Sequence, residues 1–284
     1  MVSSQNIDLT PLETLSEASA LANKFARDLL ETDRRYFEAG ASVYLLQNGS
    51  IAILNGLSHI PAGCIVQRIN GSYPVEAWDT WLTNVETFLS QFSDVTPRLY
   101  LEASIPAFES VLKRRGYRSQ VEVGLIDTSV AKAELDQNVK VSLRPVITEI
   151  DWQLKVRLHT AVEKGPDGHI TPAEDWANLE RRKCASGMMR SFFICQGNEV
   201  CGTVGAIALG QFLRLKNLVV DPAWQGQGIG QAAVRALRNE AIRTQKSAFG
   251  CFALQGGVGQ HVYQRAGLSM VTQQVEWYRN SRLR

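Results

Sequence analysis

The stretch at residues 221–237, DPAWQGQGIGQAAVRAL, most constrains what this chain can fold into. It follows an apolar run at 213–220 that is broken only by Arg214, Lys216 and Asn217, and it leads into a helix-forming sequence. Gly226, Gly228 and Gly230 stand at the junction. A helix N-terminus exposes unpaired N–H groups and a partial positive charge. Glycines before it allow positive φ and let a bulky anion approach the backbone. Strand, glycine loop and helix in this order make a phosphate cradle. It is not a dinucleotide fingerprint, because Gln231 stands where the third glycine of G-x-G-x-x-G belongs. It is not a P-loop either, since the required lysine is missing.

The pattern on either side is α/β. Apolar residues recur at helical spacing from Leu12 to Leu30, behind a capping box at Thr10 and Glu13 with Pro11 at the first helical position. The runs around Gln47-Asn48-Gly49-Ser50 predict a hairpin. Strands are expected at 63–69, 98–103 and 119–127, with helices at 74–92 and 105–117. Residues 128–137 are polar and alanine-rich and read as a linker. Beyond them come a strand at 139–146, helices at 149–162 and 173–185, and a hairpin turning at Gly197-Asn198. The strand before the glycine loop, the helix after it, a strand at 247–254, a helix at 258–268 and a last strand complete the chain.

The second half resembles the first. A gapless shift of 151 positions places Gly267 on Gly116, Arg265 on Arg114 and Phe252 on Leu101. Agreement over about 70 residues is an internal-repeat signal. The same shift puts Gly226, Gly228 and Gly230 on Val75, Ala77 and Asp79. The first half therefore keeps the architecture without the cradle, and its carboxylates Glu76 and Asp79 would repel an anion.

The run LVVDPAWQGQGIGQAAV resembles the coenzyme-binding motif of the GCN5-related N-acetyltransferases, with strand, Asp-Pro, loop and helix in order. The resemblance covers residues 141–278 well and 42–127 by architecture only. It implies two tandem acyl-CoA N-acyltransferase (GNAT) type domains, each a mixed twisted β-sheet flanked by helices. These would span 1–138, degenerate and without a coenzyme loop, and 139–284, catalytic. It implies acetyl-CoA as co-substrate, no metal, and transfer of the acetyl group to an amine in a ternary complex. Leu218, Val219 and Val220 would donate backbone N–H groups to the coenzyme. Gln225, Gly226, Gln227, Gly228, Ile229, Gly230 and Gln231 would hold the diphosphate. The strand after the loop would part from its neighbour. Tyr263, four residues before Gly267, matches a tyrosine that serves the departing sulfur, where the first half has Leu112. Many relatives carry a glutamate on the strand before the loop, whereas this strand reads RLKNLVV.

The segment at 159–176 offers His159, Glu163, Asp167, His169 and Asp175 as acceptor-side candidates, although solvated loop charges or helix caps are the plainer reading of each. Trp78, Trp81 and Phe88 fit a buried helix face. Trp224 and Arg265 are read first as packing and surface residues, with adenine and phosphate contacts as the alternatives. A formal net charge of +2 without charge blocks speaks against nucleic acid or a membrane surface as partner. Five cysteines without C-x-x-C spacing fit reduced thiols in a cytoplasm. No signal-peptide pattern opens the sequence and no apolar run approaches a span. The expected partner is a small-molecule amine, with a homodimer left open. The alternatives are an acyl-CoA-sensing module without turnover and an interaction protein with a vestigial loop.

Overall fold

The computed structural model describes residues 17–92, 95–160, 168 and 170–279. The expected cap at Thr10 to Glu13 and the candidates Glu163, Asp167 and His169 lie outside them. The chain begins with α1 (Glu17–Glu38), the hairpin β1 (Ser42–Leu46) and β2 (Gly49–Ile53), and β3 (Cys64–Gln67). It continues with α2 (Trp78–Leu89), β4 (Arg98–Leu101), α3 (Pro106–Arg114) and β5 (Arg118–Asp127). Then come β6 (Ser142–Pro145), α4 (Glu149–His159), α5 (Ala173–Ala185), β7 (Met189–Gln196), β8 (Glu199–Leu209) and β9 (Phe212–Val220). The last elements are α6 (Ile229–Arg243), β10 (Ala248–Leu254), α7 (Val258–Arg265) and β11 (Ser269–Tyr278). None of the described helices is long and apolar enough to cross a membrane.

Two separate sheets were the expectation. Instead all eleven strands join one mixed sheet, ordered β1-β2-β3-β4-β11-β5-β10-β9-β8-β7-β6. The terminal strand of each half sits beside the other half. β11 pairs antiparallel with β4, Trp277 facing Leu99, and β5 pairs antiparallel with β10 from Phe249 to Leu254. The two exchanged strands then pair with each other along the length of β11. Strand patterning could not foretell this. Alternation fixes which face a side chain takes, and β5 and β11 show the same alternation, so either could fill either slot.

Helices α2, α3, α6 and α7 cover one face. Under α6 and α7 lie Leu213, Leu215, Phe249, Cys251, Val123 and Leu125. Under α2 and α3 lie Val66, Leu99, Leu101 and the exchanged Trp277, around a stack of Trp78 on Phe108 with ring centroids 4.4 Å apart. Helices α1, α4 and α5 cover the opposite face. There Phe25 and Leu29 of α1 meet Ile126, Phe212 and Ala248, while Trp152 and Leu158 of α4 meet Phe193 and Cys195. Lys183 of α5 is buried and donates to the carbonyls of Phe37 and Ala39, at 3.1 and 2.7 Å, closing the C-terminal end of α1.

Two local expectations change. In the first hairpin Leu46 faces Gly49, so Gln47-Asn48 forms the turn and Gly49 already belongs to β2. Asn48 is buried there, and Gly49 takes φ +139 where a side chain would press on the Gln67 carbonyl. The segment at 128–137 is no free linker. Val130 is buried beneath the sheet, and the Asn239 side chain bonds the backbone N–H and carbonyl of Asp136, both at 2.9 Å.

Because Trp277 completes the core of the other half, Trp277→Ala should cost about 3–5 kcal/mol. Urea unfolding should remain a single transition, since β5 and β11 tie both flanks into one sheet. A separate early transition for one half would contradict that coupling.

Candidate functional site

Strand β9 meets β10 in parallel only where Phe212 to Arg214 face Ala248 to Gly250. Beyond Arg214 the two strands part, and the edge of β9 toward β10 has no ladder partner. On its other edge β9 carries a bulge. Thr203 faces Val219 and Gly205 faces Lys216, so β9 has an extra residue between them. Asn217 takes φ +53 at this point, an uncommon conformation that asparagine tolerates. Its amide donates to Oε1 of Glu180 on α5 at 3.1 Å, which anchors the bulge. Leu218 to Val220, the expected donors, come directly after it.

At the head of α6 the N-cap is Gly228, with φ 80 and no side-chain cap. Gly226 has φ 77. A side chain would meet open space at both positions, so it is the left-handed backbone that calls for glycine. No acidic residue stands in the first turn of α6. The N–H groups of Ile229, Gly230 and Gln231 are therefore first-turn donors without a capping side chain. The glutamines brace the loop rather than fill it. Gln225 bonds the Val220 carbonyl at 3.1 Å, Gln227 the Ala223 carbonyl at 3.0 Å, and Gln231 the Arg265 carbonyl at 2.8 Å. Asp221 accepts from the Ala223 N–H at 2.8 Å and shapes the turn before them.

These groups border a cleft of about 660 Å³ between the head of α6 and α7. Its lining brings together Leu218, Val220, Gln225, Gly226, Gly228, Ile229, Gly230, Gln231 and Tyr263, along with Trp224 and Arg265. Val219 and Gln227 are not in the lining: Val219 is buried and Gln227 points its amide back to the loop. Tyr263 is buried, and burial together with the nearby Cys251 raises its pKa, so the phenol keeps its proton.

The corresponding place in the first half is filled. By the 151-residue shift Trp78 takes the position of Ile229 and Phe108 that of Gly259, and those two rings stack. Asp79 stands in the first turn of α2 and pairs with Arg115 at 3.1 Å. The first turn of α2 thus carries a carboxylate where that of α6 carries none.

On the α1 face behind the splay lies a polar layer that the sequence did not reveal. Asp33 pairs with Arg214 at 2.6 Å and lies 3.5 Å from Lys216. Lys155 pairs with Glu180 at 2.7 Å, both fully buried. The acceptor-side candidates separate. His159 is buried 3.5 Å from Glu180, and desolvation pushes its pKa down to about 4 against the pull of that carboxylate. It is a neutral core histidine. Asp175 pairs with His59 at 2.8 Å and ties α5 to the first half. It does not cap α5, whose N-cap is Pro172. No motif marked Glu180, Asn217 or Asp33, because their meeting depends on helices that pack from opposite ends of the chain.

Parted parallel strands, a bulge and an uncapped glycine-led helix thus surround one cleft. Residues 189–268 match the acetyltransferase (GNAT) domain family. A GCN5-related N-acetyltransferase from Kribbella flavida shares the fold at TM-score 0.61 and 11% identity, over 95% of this chain and 98% of that one. One from Sphaerobacter thermophilus does so at TM-score 0.59 and 14% identity, over 92% and 93%. A tandem GNAT protein from the clavulanic acid biosynthesis pathway aligns at TM-score 0.52 and 11% identity, over 81% and 78%. No curated protein matches in sequence. Residues 189–268 therefore carry the pattern of the GNAT acetyltransferase domain, a family that implies acetyl-CoA as acyl donor.

The depressed pKa of His159 has a consequence for stability. A base held neutral by folding contributes fully above its unfolded value of 6.5 and loses that contribution as pH falls toward about 4. The loss should amount to roughly 2–3 kcal/mol. In His159→Gln the urea midpoint should fall less over this window than in the wild type. Equal pH dependence in both would show that His159 is not buried neutral.

Proposed function

We propose that the protein transfers an acetyl group from acetyl-CoA to the amine of a small molecule in a ternary complex, using the second half, 139–284, as the catalytic unit. The observation that carries this reading is the uncapped head of α6. Its first-turn amides lack a capping side chain and open into the cleft, beside glycines in a conformation that keeps the surface bare. That arrangement suits a diphosphate.

Bound acetyl-CoA would supply the reactive thioester. The chain's own residues supply the rest. Amides of Gly226, Gly228 and Gly230 and their neighbours hold the diphosphate. Backbone donors in Leu218 to Val220, exposed where β9 leaves β10, stabilise the carbonyl oxygen as charge develops on it. Tyr263, protonated and on the cleft wall, gives its proton to the departing sulfur. The first half, 1–138, lacks a cradle and acts as a brace, contributing α1 and β5 to the acceptor side. The five cysteines are free thiols, four of them buried, which supports a reducing compartment such as the cytoplasm. Nucleic acid and membrane surfaces are not the expected partners, and a homodimer is compatible with this reading.

Titration calorimetry with coenzyme A tests the cradle. Gly228→Val must leave the left-handed region or carry strain of about 1–3 kcal/mol, and it should weaken binding at least tenfold. Unchanged affinity would remove the cradle from the account. Thiol release with a panel of primary amines tests the transfer. Tyr263→Phe should bind coenzyme A as the wild type does and lose on the order of 10²-fold in kcat. Tight binding without turnover by any amine would instead make the protein an acyl-CoA sensor.

A further inference from the structure

Strand β9 offers no carboxylate, yet attack on a thioester requires a neutral amine. An alkylammonium near pH 7 is neutral only about once in a few thousand molecules. On the α1 face of the sheet nearly every carboxylate has a cation beside it. Asp33 has Arg214, Glu180 has Lys155, and Glu276 has Arg98 at 3.4 Å. Further along, Glu31 and Glu38 have Arg68, and Glu102 has Arg34. Glu122 differs. Among the described residues it has no Lys or Arg nitrogen within ion-pair distance, and its one hydrogen bond comes from the Gln274 amide at 2.8 Å. The same Gln274 nitrogen bonds Asp33 at 2.7 Å, so a single amide fixes both carboxylates.

Its position also fits. Glu122 faces Leu254 across the β5·β10 ladder, at the end of β10 that has left β9. Val123 and Leu125 turn toward α6 and α7, so Glu122 turns the other way, to the α1 face behind the gap. It is half-buried rather than sealed.

Resting on the acetyl-transfer reading above, we infer that Glu122, delivered by the exchanged strand β5, is the general base that deprotonates the acceptor amine. The proton leaves the acceptor ammonium for the Glu122 carboxylate. The freed lone pair forms the C–N bond to the acetyl carbon, the C–S bond breaks, and the thiolate takes its proton from Tyr263; the second proton on the now cationic nitrogen then restores the Tyr263 phenol, and Glu122 releases its proton to solvent. The groups facing Glu122 are Asp33 of α1, Tyr100 of β4, Lys216 of β9, and Gln274 and Glu276 of β11. Burial first, then Glu276 and Asp33, raise its pKa to about 7, against Lys216 and Gln274. The group is then balanced between accepting and releasing a proton at neutral pH.

The test uses the full chain with Glu122→Gln and Glu122→Asp. Calorimetry with coenzyme A comes first. Failure of the wild type to bind overturns the acetyl-transfer reading itself. With binding equal in all three proteins, Glu122→Gln should slow thiol release from primary alkylamines at least 100-fold. The wild-type bend in kcat/KM near pH 7 should vanish with it, and Glu122→Asp should keep part of the rate and the bend. A Gln variant within threefold of the wild type, with the same pH profile, overturns the inference and leaves the acetyl-transfer reading intact. A second readout needs no acceptor. A carboxyl with a raised folded pKa loses its stabilising contribution as pH rises from its ordinary value of 4.5 through about 7. Glu122→Gln should therefore melt higher than the wild type at pH 8 and not at pH 4. A difference that is the same at both pH values also overturns the inference.

Discussion

The site depends on how strand β10 divides its pairing. On one edge it keeps β9 only through Gly250. On the other it runs antiparallel to β5 from Phe249 to Leu254. The distal half of β10 is therefore held from one side alone, and the strand holding it comes from the other half of the chain. Without β5 that segment would be an edge with unpaired backbone groups on both sides, and closing onto β9 would satisfy them. Pairing with β5 satisfies one edge and leaves the gap open. β5 is secured in turn by nine paired positions with β11. The cleft on the α6 side and the polar layer on the α1 side are two views of the same gap.

The two halves show that architecture alone does not make a cradle. Both place a helix after a strand whose neighbour is parallel, β3 with β4 and β9 with β10. What differs is the content of the space at the helix head. Beside α6 it is an open cleft whose lining includes four glycines, Tyr263 and apolar side chains such as Leu218 and Val262. Beside α2 it holds two stacked rings and a carboxylate already paired with an arginine. An anion arriving there would have to displace packed aromatics and meet a charge of its own sign. The first half serves the site by what it lends across the sheet.

Much of this was legible in the sequence because it is local. Strand, turn and helix at 213–237 follow from glycine chemistry and periodicity, and the lining of the cleft follows from them. The contrast between Gly230 and Asp79 needed only an internal comparison. What was not legible is long-range. The exchange of β5 and β11 is invisible to alternation, which specifies a face and not a neighbour. His159 read as a polar loop residue because its burial is set by packing against Trp176 and Glu180 of α5, which local patterning does not show. Within the hairpin around Gln47-Asn48-Gly49-Ser50 the Asn48 side chain is buried, a tertiary contact that turn chemistry does not show.

The polar layer under α1 bears on both the fold and the chemistry. Buried ion pairs such as Asp33 with Arg214 are weak evidence of net stability, since desolvation offsets much of their attraction. Their effect on register is stronger. Gln120, Glu122, Gln274 and Glu276 occupy the α1-facing positions of β5 and β11, and Gln120 bonds Glu276 across the ladder. A slip of either strand by one residue would turn these groups into the apolar core beneath α6 and α7 and leave them without partners. The layer thus penalises every wrong alignment of the two exchanged strands. The same constraint that fixes how the halves join also fixes where Glu122 stands relative to the gap. A carboxylate held by an amide rather than neutralised by a cation keeps the capacity to take a proton, and that is the property a strand-borne base requires.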